Sequence, residues 1–143
     1  MSTMRARSDR RGGFPPPFVG RATSMLSWVV VAGVLAQAVL AGQGWFAGQQ
    51  GLFGLHGGIG HGVVTVAIVV AAGSWVLGAG RLIPLLASAN VVLLIAQTGL
   101  GYTGRRGGVA IASSLHVPLG VAILGVAVAV AVLLAVRATR PAS

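Results

Sequence analysis

Cysteine is absent from this 143-residue chain, and Asp9 in the N-terminal tail is its single carboxylate side chain. Without thiols the chain forms no disulfide, no thiolate metal site and no iron–sulfur cluster. With one carboxylate it also lacks paired-carboxylate catalysis, carboxylate metal clusters and the intramembrane acid that proton-coupled pumps use. Histidine is therefore the one side chain of the apolar region suited to metal binding or proton transfer, which disfavours a transporter.

Charge of either sign is scarce. Charged residues make up 8% of the chain and hydrophobic residues 55%, whereas soluble domains carry about 25% charged residues. The mean hydropathy is +0.90. A soluble fold of this size could not cover its surface with so few charges. The composition therefore predicts an integral membrane protein, with the lipid bilayer as its first partner.

Lysine is also absent, so all ten basic residues are arginines and the formal net charge is +9. A basic chain can indicate nucleic-acid binding. These arginines, however, lie in the tails and short connections and form no single basic face. We therefore expect no nucleic-acid partner and interpret the arginines as a membrane-topology signal. The Ala, Gly, Val and Arg bias further suggests a bacterial source.

Four apolar segments are each long enough to cross a hydrocarbon core of about 30 Å, and only helices satisfy their own backbone in single spans. They are residues 26–44, 56–78, 82–102 and 115–136. Residues 1–24 hold five arginines and three consecutive prolines, which predicts a disordered basic tail. Residues 138–143 form a second tail.

The arginine distribution predicts the orientation of these spans. Eight arginines fall on the side of the two tails and the middle connection, which holds Arg81. Two, Arg105 and Arg106, fall on the other side. The positive-inside rule then places both termini in the cytoplasm, in a bacterial cytoplasmic membrane.

An internal repeat is the most informative pattern in the chain. Residues 36–60 and 96–120 align without gaps at an offset of 60, with eight of 25 positions identical. We interpret the chain as two repeated helical hairpins. Since short connections make neighbouring helices antiparallel, the expected fold is an all-α, four-helix transmembrane bundle with a pseudo-twofold axis along the membrane normal.

The repeat aligns His56 with His116 and Gln37 with Gln97, all near the outer ends of the spans. Asn90 lies two helical turns from Gln97 and shares its face. Such polar residues should face the bundle interior, because facing lipid costs free energy. Two structural alternatives remain. The histidines can be interfacial residues, and the glutamines can simply hydrogen-bond across helix pairs, each worth about 0.6–2 kcal/mol.

A span ending in Q-x-x-L-x-G, followed by a loop and a histidine, resembles one half of heme A synthase. The chain also resembles a family of small bacterial four-span proteins with the same A-Q…L-H-x-x-x-G arrangement. In heme A synthases each half is a four-helix bundle whose paired histidines ligate a haem. The resemblance covers residues 25–137 and implies that His56 and His116 are axial ligands and that Gln37 and Gln97 line the bundle.

The chain departs from heme A synthases just before each histidine, where Leu55 and Leu115 replace an acidic residue. Its length also matches only half of such an enzyme. Oxidation of a haem methyl group is therefore not expected, and a non-enzymatic role is favoured.

The residues themselves also suggest a b-type haem. Two histidines can fill both axial positions of the iron, which suits electron transfer with a redox partner or larger membrane complex. Arg105 and Arg106 are candidates to pair with the haem propionates. His61 has no counterpart, since residue 121 is valine, and is expected to pack or hydrogen-bond. The alternative function is an accessory or structural membrane subunit without a cofactor.

Overall fold

The computed structural model describes residues 17–139, and each predicted span forms one α-helix. The helices are α1 (Pro17–Phe46), α2 (Leu52–Val76), α3 (Leu82–Gly107) and α4 (Ala110–Ala138). Each is long and apolar enough to cross a membrane. The described part of the chain contains no strand. The predicted all-α, four-span membrane bundle is confirmed.

The helices pack as a ring in chain order. α1 contacts α2 and α4, and α3 contacts the same two helices. Within residues 17–139, the diagonal pairs α1–α3 and α2–α4 make no backbone contact. A side chain from one helix of a diagonal pair can therefore meet the other only through the bundle interior.

Small and β-branched side chains fill this interior, among them Val30, Ala67 and Ile123. Glycine permits close contact between α1 and α2. A Cβ on Gly33 would lie 2.5 Å from Cγ2 of Val63, so α1 and α2 touch there through backbone and side chain. Membrane helices associate by such close packing, because lipid provides no hydrophobic drive between them.

The outer surface is apolar as well. Large hydrophobic side chains such as Val39, Val92 and Val121 are more than 60% exposed. Helices that are hydrophobic on all faces suit lipid surroundings. Exposure of these residues is therefore the expected state of a bilayer protein.

The first and third connections are shorter than hydropathy predicted, whereas the middle one lengthens from residues 79–81 to residues 77–81. The expected connection at 43–55 shrinks to residues 47–51, and the one at 103–114 shrinks to Gly108 and Val109. Gly108 ends α3 with φ of 65°, a left-handed conformation that glycine adopts without strain. Hydropathy marks the part of a helix that lies in hydrocarbon, whereas the helix itself continues through Gly-, Ser- and Arg-containing turns beyond it.

The same reason corrects the predicted boundary of the N-terminal tail. Residues 18–24, assigned to the disordered tail, are helical, and Thr23 is only 5% exposed. Pro17 opens α1, where its missing N–H is tolerated. Pro118 lies inside α4 and not in its first turn, so the carbonyl of Ser114 has no helical N–H donor. Residues 1–16 and 140–143, with the tail predictions made for them, lie outside the described residues.

The described arginines lie at the two ends of the bundle. Arg21, Arg81 and Arg137 occupy one end, and Arg105 and Arg106 are in the last turn of α3 at the other. Nη2 of Arg137 donates to the carbonyls of Leu77 and Gly78 at 3.3 and 3.2 Å. A cation at these last carbonyls of α2 stabilises the helix terminus.

Candidate functional site

The four residues aligned by the repeat meet at one end of the bundle, here called the Gln–His end. It is formed by the C-terminal turns of α1 and α3 and the N-terminal turns of α2 and α4. His56 lies in the second turn of α2 and His116 in the second turn of α4. Gln37 and Gln97 lie on the facing helices α1 and α3.

Each glutamine is hydrogen-bonded to the backbone of the histidine in its own hairpin. Nε2 of Gln37 donates to the carbonyl of His56 at 2.8 Å, and Nε2 of Gln97 donates to that of His116 at 2.8 Å. In an α-helix each of these carbonyls also accepts from the N–H four residues later. The glutamine uses the second lone pair, so it ties the helix pair together without disturbing either helix.

The glycine of the H-x-x-x-G pattern makes room for this bond. A Cβ on Gly60 would lie 3.7 Å from Nε2 of Gln37, and a Cβ on Gly120 would lie 3.2 Å from Nε2 of Gln97. Both glycines are one helical turn after the histidine, on the same face. The pattern thus has a physical meaning: glycine lets the amide cross to the histidine carbonyl.

The two imidazole rings meet across the bundle. Their centroids are 6.2 Å apart, and the ring planes are inclined by 52°. The rings belong to α2 and α4, which are diagonal helices, so they bridge the interior and do not point toward lipid. The expectation that the repeat brings these side chains face to face agrees with this geometry.

The two histidines differ in their hydrogen bonding. Nδ1 of His56 lies 3.1 Å from the backbone carbonyl of Gln37. Because a carbonyl only accepts, Nδ1 must carry the proton, and Nε2 of the neutral ring keeps a lone pair for a ligand. Metal-binding histidines are commonly oriented by such a bond from the other nitrogen. Nδ1 of His116, in contrast, is buried with no partner among the described residues.

Gly101 lies against the His116 ring, and sequence reasoning missed this contact. A Cβ on Gly101 would lie 3.1 Å from Cε1 and 3.5 Å from Nδ1 of His116. The His116 ring thus rests against the backbone of α3. The residue 60 positions earlier is Ala41, so the aligned position on α1 carries a methyl group. The signal available in the sequence was this one Ala-to-Gly difference in the aligned segments.

The donor set favours some ligands over others. No group of three or more His, Asp, Glu or Cys side chains occurs in the part of the chain that the structure describes. A structural zinc ion needs about four protein ligands, and two imidazoles are too few. A haem supplies four nitrogens itself and needs only two axial ligands.

The distance between the rings suits this coordination. Two imidazoles that share one metal ion, each through a nitrogen at about 2 Å, have centroids about 6 Å apart. The 6.2 Å between His56 and His116 matches that requirement. Gly101 lies against the His116 ring, so the surface of α3 carries no side chain at that point.

Arg105 and Arg106 lie at the same end, exposed on the last turn of α3. The guanidinium of Arg105 is 4.5 Å from the ring centroid of Phe53, and that of Arg106 is 4.9 Å from the ring centroid of Tyr102. Stacking on aromatic faces leaves the guanidinium edges able to donate to an anion. Arg105 is also one turn beyond Gly101, which touches His116.

Two other polar residues do not join the pair. His61 is exposed on α2, and its Nδ1 lies 2.8 Å from the carbonyl of Gly57 in its own helix. Its ring is 6.2 Å from that of Tyr102. Asn90 is 4% exposed and lies two turns deeper on α3 than Gln97. Its Oδ1 has no hydrogen-bond partner among the described residues.

Comparison with protein-family models, with curated proteins and with solved structures found no match to this chain. The fold and the Gln–His geometry are those of a multi-pass membrane protein with two histidines facing each other across a four-helix bundle.

Proposed function

We propose that this small integral membrane protein binds a b-type haem through His56 and His116 and serves in electron transfer. The observation that carries the proposal is the 6.2 Å separation of two imidazoles from diagonal helices. A haem ligated on both faces has no open position for substrate, and it supplies one-electron chemistry. The likeness to one half of heme A synthase, noted for residues 25–137, points the same way.

The surrounding residues support this ligand in specific ways. The Gln37 amide donates to the carbonyl of His56, and the backbone carbonyl of Gln37 accepts a hydrogen bond from Nδ1 of His56, which directs Nε2 away from α1. Arg105 and Arg106, both exposed at this end of the bundle, would pair with the two propionates, since charge-assisted hydrogen bonds to carboxylates are stronger than neutral ones. Valine and alanine side chains deeper in the bundle would form an apolar surface for the macrocycle to pack against.

We further propose that the protein lies in a bacterial cytoplasmic membrane with both termini inside the cell. The arginine bias supports this orientation. Reporter fusions at residue 143 and near Gln49 should report opposite compartments, with residue 143 cytoplasmic. The same compartment for both fusions would contradict the four-span topology, and a periplasmic residue 143 would reverse the orientation.

Haem binding can be tested by visible spectroscopy. The protein would be expressed with ample haem and purified in detergent, and its reduced-minus-oxidised spectrum recorded. A six-coordinate b-type spectrum should appear in the natural sequence and in His61→Ala, which removes the histidine outside the pair. It should be lost or become five-coordinate in His56→Ala and His116→Ala. A colourless protein, or an unchanged spectrum in both paired variants, would refute the site.

A second candidate is a structural or accessory subunit without a cofactor. The observation that favours it is that the Gln37 and Gln97 amides already bind the histidine carbonyls with no ligand needed. On this account the motif fastens α1 to α2 and α3 to α4. It predicts that His116→Ala leaves stability nearly unchanged, since the Gln97 bond uses a backbone carbonyl, and that His56→Ala loses only the Nδ1 bond to Gln37. It also predicts that no haem copurifies.

A further inference from the structure

We propose that the bundle interior holds one bound water molecule between Asn90 and Ser27. The site lies deeper than the Gln–His end and shares no residue with it. Two independent observations define it: a small internal cavity and a buried acceptor on its wall that lacks a donor.

The buried acceptor is Oδ1 of Asn90. Asn90 is 4% exposed, and Oδ1 has no partner within the described chain. A carbonyl oxygen kept from both water and hydrogen-bond donors is strongly disfavoured in apolar surroundings. Buried polar atoms in native proteins nearly always find a partner, either in the protein or in ordered water. Oδ1 of Asn90 therefore needs a hydrogen-bond donor, and none of the described residues provides one.

The cavity beside Asn90 has a volume of about 10 Å³. This is close to the smallest space that holds one water molecule. Each helix lines it with two residues three positions apart, and those of α3 and α4 lie 60 positions after those of α1 and α2. The cavity thus lies at the centre of the ring of helices. Alanine at three lining positions, Ala67, Ala87 and Ala127, leaves the space open.

Ser27 provides the second polar contact on the wall. It is 2% exposed, and its hydroxyl donates to the carbonyl of Ser24 at 2.6 Å. The Ser27 oxygen therefore has lone pairs left to accept with. Asn90 Oδ1 lacks a donor and Ser27 Oγ can accept one, and a water molecule has two O–H groups. Sodium or calcium is excluded by ligand number, since such ions take about six or more oxygen ligands.

The water would join α1 to α3, which make no backbone contact within the described residues. It would give this diagonal pair a polar link in the bundle interior. The Gln–His bonds join only helices adjacent in the ring. The proposed water thus links a different pair of helices, and it would do so whether or not the Gln–His end binds haem.

Asn90 is the only asparagine in the chain, which makes a direct test simple. Protein labelled with ¹⁵N-asparagine and reconstituted in lipid gives one side-chain amide signal, with no assignment needed. Water-selective magnetisation transfer should produce a cross-peak at this signal at short mixing times. Absence of the cross-peak in the natural sequence would mean a dry cavity and would overturn the proposal.

Ala127→Val serves as the filled-cavity variant, because Ala127 lines the space and is 2% exposed. It should reduce the water cross-peak at least several-fold while the amide signal itself remains. Ala122→Val, at an exposed position on the same helix, is the matched control and should keep the full cross-peak. An equally strong cross-peak in Ala127→Val would place the water elsewhere and contradict the site.

Discussion

The two glutamines make equal hydrogen bonds but should not contribute equally to stability. Gln37→Leu and Gln97→Leu each remove a bond of 2.8 Å to a histidine carbonyl, with side-chain size nearly retained. Hydrogen bonds between membrane helices average about 0.6 kcal/mol, with measured values up to about 2 kcal/mol. Loss of this bond alone would destabilise both variants by the same amount.

Gln97 differs because its Oε1 is buried without a partner among residues 17–139. An unsatisfied buried polar atom costs about 1–3 kcal/mol, and Gln97→Leu removes that atom together with the bond. We therefore expect Gln37→Leu to lower the free energy of unfolding by about 1 kcal/mol. Gln97→Leu should leave it unchanged or raise it slightly.

Reversible unfolding of the cofactor-free protein in mixed detergent micelles measures both values. Gln43→Leu is the control, because Gln43 lies exposed on α1 and its side chain makes none of the bonds described above. It should have no measurable effect. If Gln97→Leu lowers the free energy of unfolding as much as Gln37→Leu does, Oε1 of Gln97 does not destabilise the protein, and the reasoning fails.

Three further substitutions test the packing and the ring positions. Gly33→Ala should destabilise the protein by about 1–3 kcal/mol, because its Cβ would overlap Val63. Gly125→Ala, with nothing within 4 Å of its Cβ, should be neutral or should stabilise the protein by up to about 1 kcal/mol. Equal unfolding free energies for the two variants would contradict the close packing. Gly101→Ala should displace the His116 ring and shift its ¹⁵N resonances, and unchanged resonances would show that Gly101 does not position the ring. Arg137→Leu should lower the free energy of unfolding by about 0.3–1 kcal/mol in the same assay, because the contacts with the carbonyls at the end of α2 are lost. An unchanged free energy of unfolding would show that Arg137 does not stabilise this helix end.

Much of the fold could be predicted because a bilayer restricts the choices. Scarce charge requires lipid as solvent, and single spans must be helical. The ends of the helices were harder to predict. Hydropathy falls at residues such as Arg105 and Ser113, yet both are helical, because a helix is limited by its backbone bonds and not by the membrane surface. Likewise, Pro17 begins α1, although composition alone assigned the first turns of this helix to a disordered tail.

The pairing of His56 with His116 followed from spacing, since equivalent positions of two hairpins meet near a shared axis. The details depended on single atoms. The two rings differ in hydrogen bonding, and the aligned positions beside them differ by one methyl group, present at Ala41 and absent at Gly101. The cavity beside Asn90 is lined by alanines from three helices. Which residues of different helices meet is set by packing, and the periodicity of a single helix does not reveal it.

The account depends most on the meeting of His56 and His116 inside the bundle. In a His61→Gln variant these are the only two histidines left. Labelling with ¹³C,¹⁵N-histidine, dilution with unlabelled protein and reconstitution in lipid allow solid-state NMR to detect transfer between the two rings. Rings whose centroids lie 6.2 Å apart should give clear inter-ring cross-peaks. Two resolved histidine signals without such cross-peaks would contradict the structure at its central contact.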